Sequence, residues 1–177
     1  MYKRQVAGEG RCDMAFLNAM EFQASVVGNH DLDTGTDGFA SIISPEVNSV
    51  TGETYAGALF PYLSANLDFS TDINLAGLVT ADGIAAEDIP GRLASYTVID
   101  VNGQKIGVVG ATTPSLADIT STGDITITPA DASDIAALAS EIQVSVDALT
   151  NIGINKIIVL AHMQQIAIEE ELSLIHI

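Results

Sequence analysis

Basic side chains are scarce in this chain. Lysine and arginine together number 6 against 23 aspartates and glutamates, which leaves a formal charge of −17 over 177 residues. The deficit excludes binding of nucleic acid through a basic surface, because such surfaces neutralise many phosphates with Lys and Arg. It also disfavours adsorption to anionic membranes. Tryptophan is absent and aromatics make up 5%, so the core has to be assembled from Ala, Ile, Leu and Val. Cys12 stands alone, which rules out an internal disulfide in this stretch and is compatible with any redox compartment. The apolar runs are too short and too interrupted to span a membrane. Internal repeats and low-complexity tracts are also missing.

What is present fits one α/β domain. The length allows a real core, hydrophobic residues make up 47%, and the mean hydropathy is +0.34. The acidity serves solubility, and it fits a secreted or marine protein that tolerates salt and divalent cations. Residues 13–22 read as a helix with Met14, Phe16, Leu17 and Met20 on one face. A second helix is expected from Thr36 to Ser44, packed by Phe39, Ile42 and Ile43 and ended by Pro45. The longest helix is expected over Asp131–Ile152, where Ile135, Leu138, Ala139, Ile142, Val146 and Leu149 recur at three- and four-residue steps. Asp131 is its expected N-cap and Gly153 its stop. Another helix is expected from Gln164 to about Glu171.

Strands are expected at 24–28, 62–66, 95–101, 105–110 and 155–161. Asn102-Gly103 between two apolar runs is a hairpin signal. Thr112-Thr113-Pro114 then reads as a loop, with Thr112 in a turn or capping role. Residues 67–91 show no period and read as a long loop. Its acidic residues Asp68, Asp72, Asp82, Glu87 and Asp88 lack the order of an EF-hand calcium loop. They are expected to be solvated loop charges.

The polar cluster Gly28-Asn29-His30-Asp31-Leu32-Asp33 follows the apolar run Ala24–Val27. It lies where the carboxyl end of a buried strand meets a loop, the edge at which open α/β sheets bind ligands. An Asn oxygen is a neutral metal donor, His exchanges protons near neutral pH, and Asp fixes the imidazole tautomer. Far downstream, the apolar strand Asn155–Ala161 delivers His162. Two His residues, each at the exit of a buried strand, point to a shared site for metal-assisted hydrolysis.

The chain resembles the calcineurin-like metallophosphoesterases, and within them the 5′-nucleotidase branch. The resemblance rests on Leu17-Asn18-Ala19-Met20, Val27–Asp33, Phe60–Asn66 with its Ser64-Ala65-Asn66 end, Gly107–Pro114 and Ile157–His162, in the family's order. It implies an α/β sandwich of two mixed β-sheets flanked by helices. It implies a phosphohydrolase acting on nucleotides or related phosphate esters with two divalent ions, zinc, manganese or similar. Those ions would neutralise the phosphate and activate water, supplying the local attraction that an acidic surface does not give an anion. Asn29 and His162 would hold one ion, and as neutral donors would leave it strongly Lewis-acidic. His30 would serve the leaving oxygen, and Asp33 would pair with His30. The branch is usually exported, which implies a periplasmic or extracellular location. A cyclic-nucleotide phosphodiesterase of the same fold is the enzymatic alternative. A surface binding protein that keeps the fold without catalysis is the other.

The chain also departs from the family's pattern. No Asp-x-His or Gly-Asp motif precedes Asn29, and Cys12-Asp13 is not Gly-Asp. The family's last His-bearing motif does not follow His162, and the C-terminal domain that reads the substrate is not in the chain. Glu21 stands where Gly is common before Phe22. Tyr2–Gln5 and Leu172–Ile175 can be encoded by one DNA sequence read in opposite orientations, as a transposon end used in sequencing libraries would be. Residues 1–5 and 172–177 are therefore expected to be adapter-derived tails around a partial catalytic domain, 6–171, which excludes His176 as a site residue. The chain by itself is expected to lack activity.

Overall fold

The computed structural model describes residues 10–50, 52–165, 168 and 170–172. In chain order the elements are α1 (Arg11–Ala19), β1 (Ser25–Val26), α2 (Gly35–Ile43), β2 (Glu46–Val47), β3 (Thr54–Tyr55), β4 (Tyr62–Leu63) and β5 (Leu67–Asp68). They continue with β6 (Leu93–Ala94), β7 (Tyr96–Val101), β8 (Gln104–Thr112), α3 (Leu116–Ile119), β9 (Thr126–Ile127), α4 (Ile135–Asn151) and β10 (Ile157–His162). One three-stranded sheet is parallel, in the order β1-β4-β6. The other is mixed, in the order β10-β8-β7, with β10 parallel and β7 antiparallel to β8. Two short antiparallel ladders, β2-β3 and β5-β9, complete the pairing.

The two larger sheets approach most closely at Gly110. A Cβ there would lie 2.3 Å from the Leu63 backbone carbonyl, so only glycine fits. The Ala65 amide then donates to the Gly110 carbonyl at 2.8 Å, tying one sheet to the other. On the outside of the first sheet, Met14 of α1 and Phe39 and Ile43 of α2 enter a core with Val27, Leu32, Phe60 and Tyr62. Phe39 meets Tyr62 edge-on at 5.2 Å. The second sheet buries Val109 against Ile135, Leu138, Ile142 and Leu149 of α4. Removing such side chains from water stabilises the fold by roughly 1.5–3 kcal/mol each.

The hairpin follows its turn chemistry. Asn102 and Gly103 both take positive φ, 55° and 82°, as a two-residue turn matched to strand twist requires. The expected stripe of α4 is inward, but its N-cap is Asp134, which accepts from the Ala137 amide at 2.9 Å. Asp131 instead closes the preceding turn by accepting from the Ser133 amide and hydroxyl. Gly153 ends the helix with φ 87°. Glu21 sits at φ 58°, a left-handed backbone that favours glycine.

Three expectations need correction. Segment 67–91 is organised by three single 3₁₀ turns, Phe69–Thr71, Ala76–Leu78 and Ala86–Asp88, and buries Phe69, Leu75 and Ile89. Its acids are not all solvated charges. Asp72 is buried and accepts from the amides of Asn74, Leu75 and Asp124 at 2.9, 3.2 and 3.1 Å. Asp82 accepts from the Ser95 amide at 2.6 Å. The segment lacks a period because single turns and scattered backbone bonds to other segments, with a few side-chain acceptors, satisfy its backbone in place of a regular ladder.

The strands at 24–28 and 155–161 are also less buried than their apolar character predicts. β1 pairs over Ser25 and Val26 alone, both half-buried. β10 lies at the edge of its sheet with Ile158 and Val159 exposed. An apolar run does not by itself distinguish a strand covered on both faces from an edge strand. Residues 1–5 and 173–177 of the expected tails lie outside the described residues, and so does part of the helix expected from Gln164. Leu172 is described, helical and buried in the second core.

Candidate functional site

Gly28 is the turning point between β1 and the loop. Its amide donates to Asp31 Oδ2 at 2.8 Å, which folds Asn29–Leu32 into a single 3₁₀ turn. Leu32 is fully buried beneath this turn and anchors it. A Cβ on Gly28 would lie 3.1 Å from the His162 ring, so the missing side chain lets the imidazole rest against the loop. Asp31, read from sequence as part of the polar cluster, is the staple of the loop. Burial pushes its carboxyl above the ordinary carboxylate range, opposed by the Gly28 amide and by the nearby charges of His162 and His30. Burial, then the Asp31 charge, pushes the Tyr62 phenol above its ordinary range.

The turn sends its polar residues in opposite directions. Asn29 points inward and is 7% exposed. Its Oδ1 lies 2.9 Å from His162 Nε2, joining residues 133 positions apart. His30 projects outward with its side chain 83% exposed, and its Nδ1 lies 2.8 Å from Asp33 Oδ2. The four residues singled out from sequence thus form two pairs: Asn29 of the loop with His162 at the end of β10, half-buried, and His30 with Asp33 on the loop, open to solvent.

A buried polar brace fixes the pair Asn29–His162 from beneath. Thr112 faces His162 in the β8–β10 register, and the Thr113 amide donates to the His162 carbonyl at 2.9 Å. Thr112 Oγ1 donates across to the Val27 carbonyl at 2.8 Å, immediately before Gly28. The Asn66 amide spans the same place. It accepts from the Thr112 amide at 2.9 Å and donates to the carbonyls of Thr112 and Thr128 at 2.9 and 3.0 Å. The Ser64 hydroxyl, 2.9 Å from Thr112 Oγ1 and 3.1 Å from Asn66 Oδ1, shares its single proton between them. Thr112 is therefore an inter-sheet strut rather than the turn or capping residue read from sequence. The apolar–polar alternation gave no signal of that role, since it depends on a residue of the other sheet.

Gln164 is a site residue that the sequence reading missed. Its Nε2 contacts Asn29 Oδ1 and lies 3.0 Å from His162 Nε2. The available signal was its position two residues after His162.

Chemically, an amide oxygen and an imidazole nitrogen that converge from separate sheets fit part of the shell of one divalent ion. Among the described residues no group of three or more His, Cys, Asp or Glu side chains is placed to hold an ion. Among the same residues no helix is long and apolar enough to cross a membrane.

No protein-family model matches the chain. The chain is similar to the snake venom 5′-nucleotidase of Naja atra, 29% identical over 154 residues, which are 87% of this chain and 23% of that protein. It is 33% identical over 150 residues to the 5′-nucleotidase of Diplobatis ommata, 83% of this chain and 20% of that one. The structure is similar to the 5′-nucleotidase precursor from Thermus thermophilus, with a TM-score of 0.61 and 26% identity, covering 87% of this chain and 24% of the other. The chain spans about a fifth to a quarter of the length of these relatives.

Proposed function

The chain belongs to the 5′-nucleotidase branch of the calcineurin-like phosphoesterases, and on that footing we propose that the whole protein hydrolyses phosphate esters of nucleotides. The observation that carries the reading is the approach of Asn29 Oδ1 to His162 Nε2 at 2.9 Å, with the His30–Asp33 pair on the same turn. Asn29 and His162 would hold one divalent ion, zinc, manganese or similar. When bound, that ion supplies positive charge to a phosphate and acidifies water. In a chain of formal charge −17, a local cation is what attracts an anionic substrate.

The remaining work falls to the chain's own residues. Asp33 accepts from His30 Nδ1, which leaves Nε2 to carry a proton outward to a leaving oxygen. The exposure of His30 lets a substrate reach it, while the burial of Asn29 keeps the donor fixed. The Thr112–Asn66 brace holds the loop and β10 at constant separation. The venom origin of one relative and the precursor form of another support export of the protein.

The test is phosphate release from a nucleoside monophosphate by the whole protein and its His30→Ala variant, with metal content measured in both. Loss of a general acid is expected to lower kcat by about 10²–10⁴-fold with bound metal unchanged. Equal turnover would remove His30 from the mechanism. The 177-residue chain alone is expected to release no phosphate, because Asn29 and His162 make up only part of the shell of one ion.

A further inference from the structure

We propose that Gln164 is a third donor to the ion held by Asn29 and His162, through its side-chain oxygen. The inference rests on the phosphohydrolase reading above and extends it to a residue of this chain.

The argument begins with protons. The Gln164 amide nitrogen, Asn29 Oδ1 and His162 Nε2 form a closed triangle, with His162 Nε2 at 2.9 Å from Asn29 Oδ1 and at 3.0 Å from Gln164 Nε2. Asn29 Oδ1 accepts only. If His162 Nε2 carries a proton, it donates to Asn29 and opposes the N–H of Gln164. If it carries none, its lone pair faces the lone pairs of Asn29. Either way one edge of the triangle sets like poles together. Turning the Gln164 amide by half a rotation puts Oε1 where Nε2 stands, because the two atoms are nearly equal in size. Three acceptors then converge, an arrangement that a cation at their focus stabilises.

The backbone agrees. Gln164 takes φ 68°, a left-handed conformation costly for a residue with a side chain. That bend, two residues beyond His162, is what turns the side chain back to the Asn29–His162 pair.

The test titrates Mn²⁺ into the whole protein and reads the ions bound per chain from the free-ion signal in electron paramagnetic resonance. The wild type is compared with Asn29→Ala, Gln164→Ala and Gln164→Glu. Binding to the wild type, loss in Asn29→Ala, about tenfold weaker binding in Gln164→Ala and restored or tighter binding in Gln164→Glu is the expected pattern. Binding that is unchanged or tighter in Gln164→Ala, while Asn29→Ala still abolishes it, overturns the inference alone and makes Gln164 a plug that the ion displaces. Failure of the wild type to bind, or indifference to Asn29→Ala, overturns the underlying reading and the inference with it.

Discussion

Replacing Asn66 with alanine should destabilise the fold more than any exposed site residue would. The side chain is 2% exposed. It satisfies the Thr112 amide, the Thr112 carbonyl and the Thr128 carbonyl. Alanine leaves all three without that partner. A buried group left unpaired costs about 1–3 kcal/mol, and water entering the vacated volume offsets part of it. The net loss should be about 3–5 kcal/mol. With a urea slope of about 2 kcal/mol/M, the unfolding midpoint should fall by roughly 2 M with the slope unchanged. Asn66→Asp keeps the shape but sets a carboxylate oxygen against two carbonyls. Its penalty should be large at neutral pH and shrink as the pH falls and the carboxyl protonates. A midpoint shift in Asn66→Ala below about 0.5 M would show that the amide does not join the sheets. An Asn66→Asp penalty independent of pH would refute the assigned hydrogen-bond directions.

Gly110→Ala should cost about 3 kcal/mol or more, since the added methyl meets the Leu63 backbone at 2.3 Å; near-normal thermal stability would show that the sheets separate easily there. Asp72 carries a pH signature. Burial raises its carboxyl pKa, but the amides of Asp124, Asn74 and Leu75 and the Thr36 hydroxyl outweigh burial and hold it below the ordinary value. The stability this supplies is present above the unfolded pKa of about 4 and is lost as pH falls through the lower folded value. Asp72→Asn should therefore flatten the acid limb of a stability–pH curve, and it should cost about 2 kcal/mol at pH 7. A variant curve parallel to that of the wild type would remove Asp72 as the cause.

Legibility in the sequence followed the range of the interaction. The Asn102-Gly103 turn and the inward stripe of α4 are local codes, and both elements form where the pattern places them. The Gly28–Asp33 cluster was readable as a loop at a strand exit, and its chemistry singled out Asn29 and His30. What was hidden lies between distant segments. Asp31 was read only as a member of the polar cluster, yet its carboxylate faces the Gly28 amide and shapes the turn. Thr112 was read as a turn residue because its acceptor, the Val27 carbonyl, lies 85 positions away. Asp131 and Asp134 are both plausible caps in one dimension, and only the register of the first helical turn separates them. Gln164 carried no periodic or compositional signal. Its placement follows from the left-handed backbone just beyond β10.

The same long-range contacts explain how so short a loop can hold a defined geometry. Asn29 follows a strand only two residues long, and His162 ends an edge strand with an exposed side. Neither element is stiff enough by itself to fix a donor to within a fraction of an ångström. Thr112 supplies the stiffness: its side chain binds the carbonyl preceding Gly28, and its backbone lies in register with His162. Asn66 in turn clamps the Thr112 backbone from both its amide and its carbonyl. The distance between the two donors is thus set by a fully hydrogen-bonded buried network rather than by the loop. The outward residues His30 and Asp33 remain free of that network and open to solvent. A site built this way separates the part that must not move, the donor pair, from the part that must meet a substrate, the exposed imidazole.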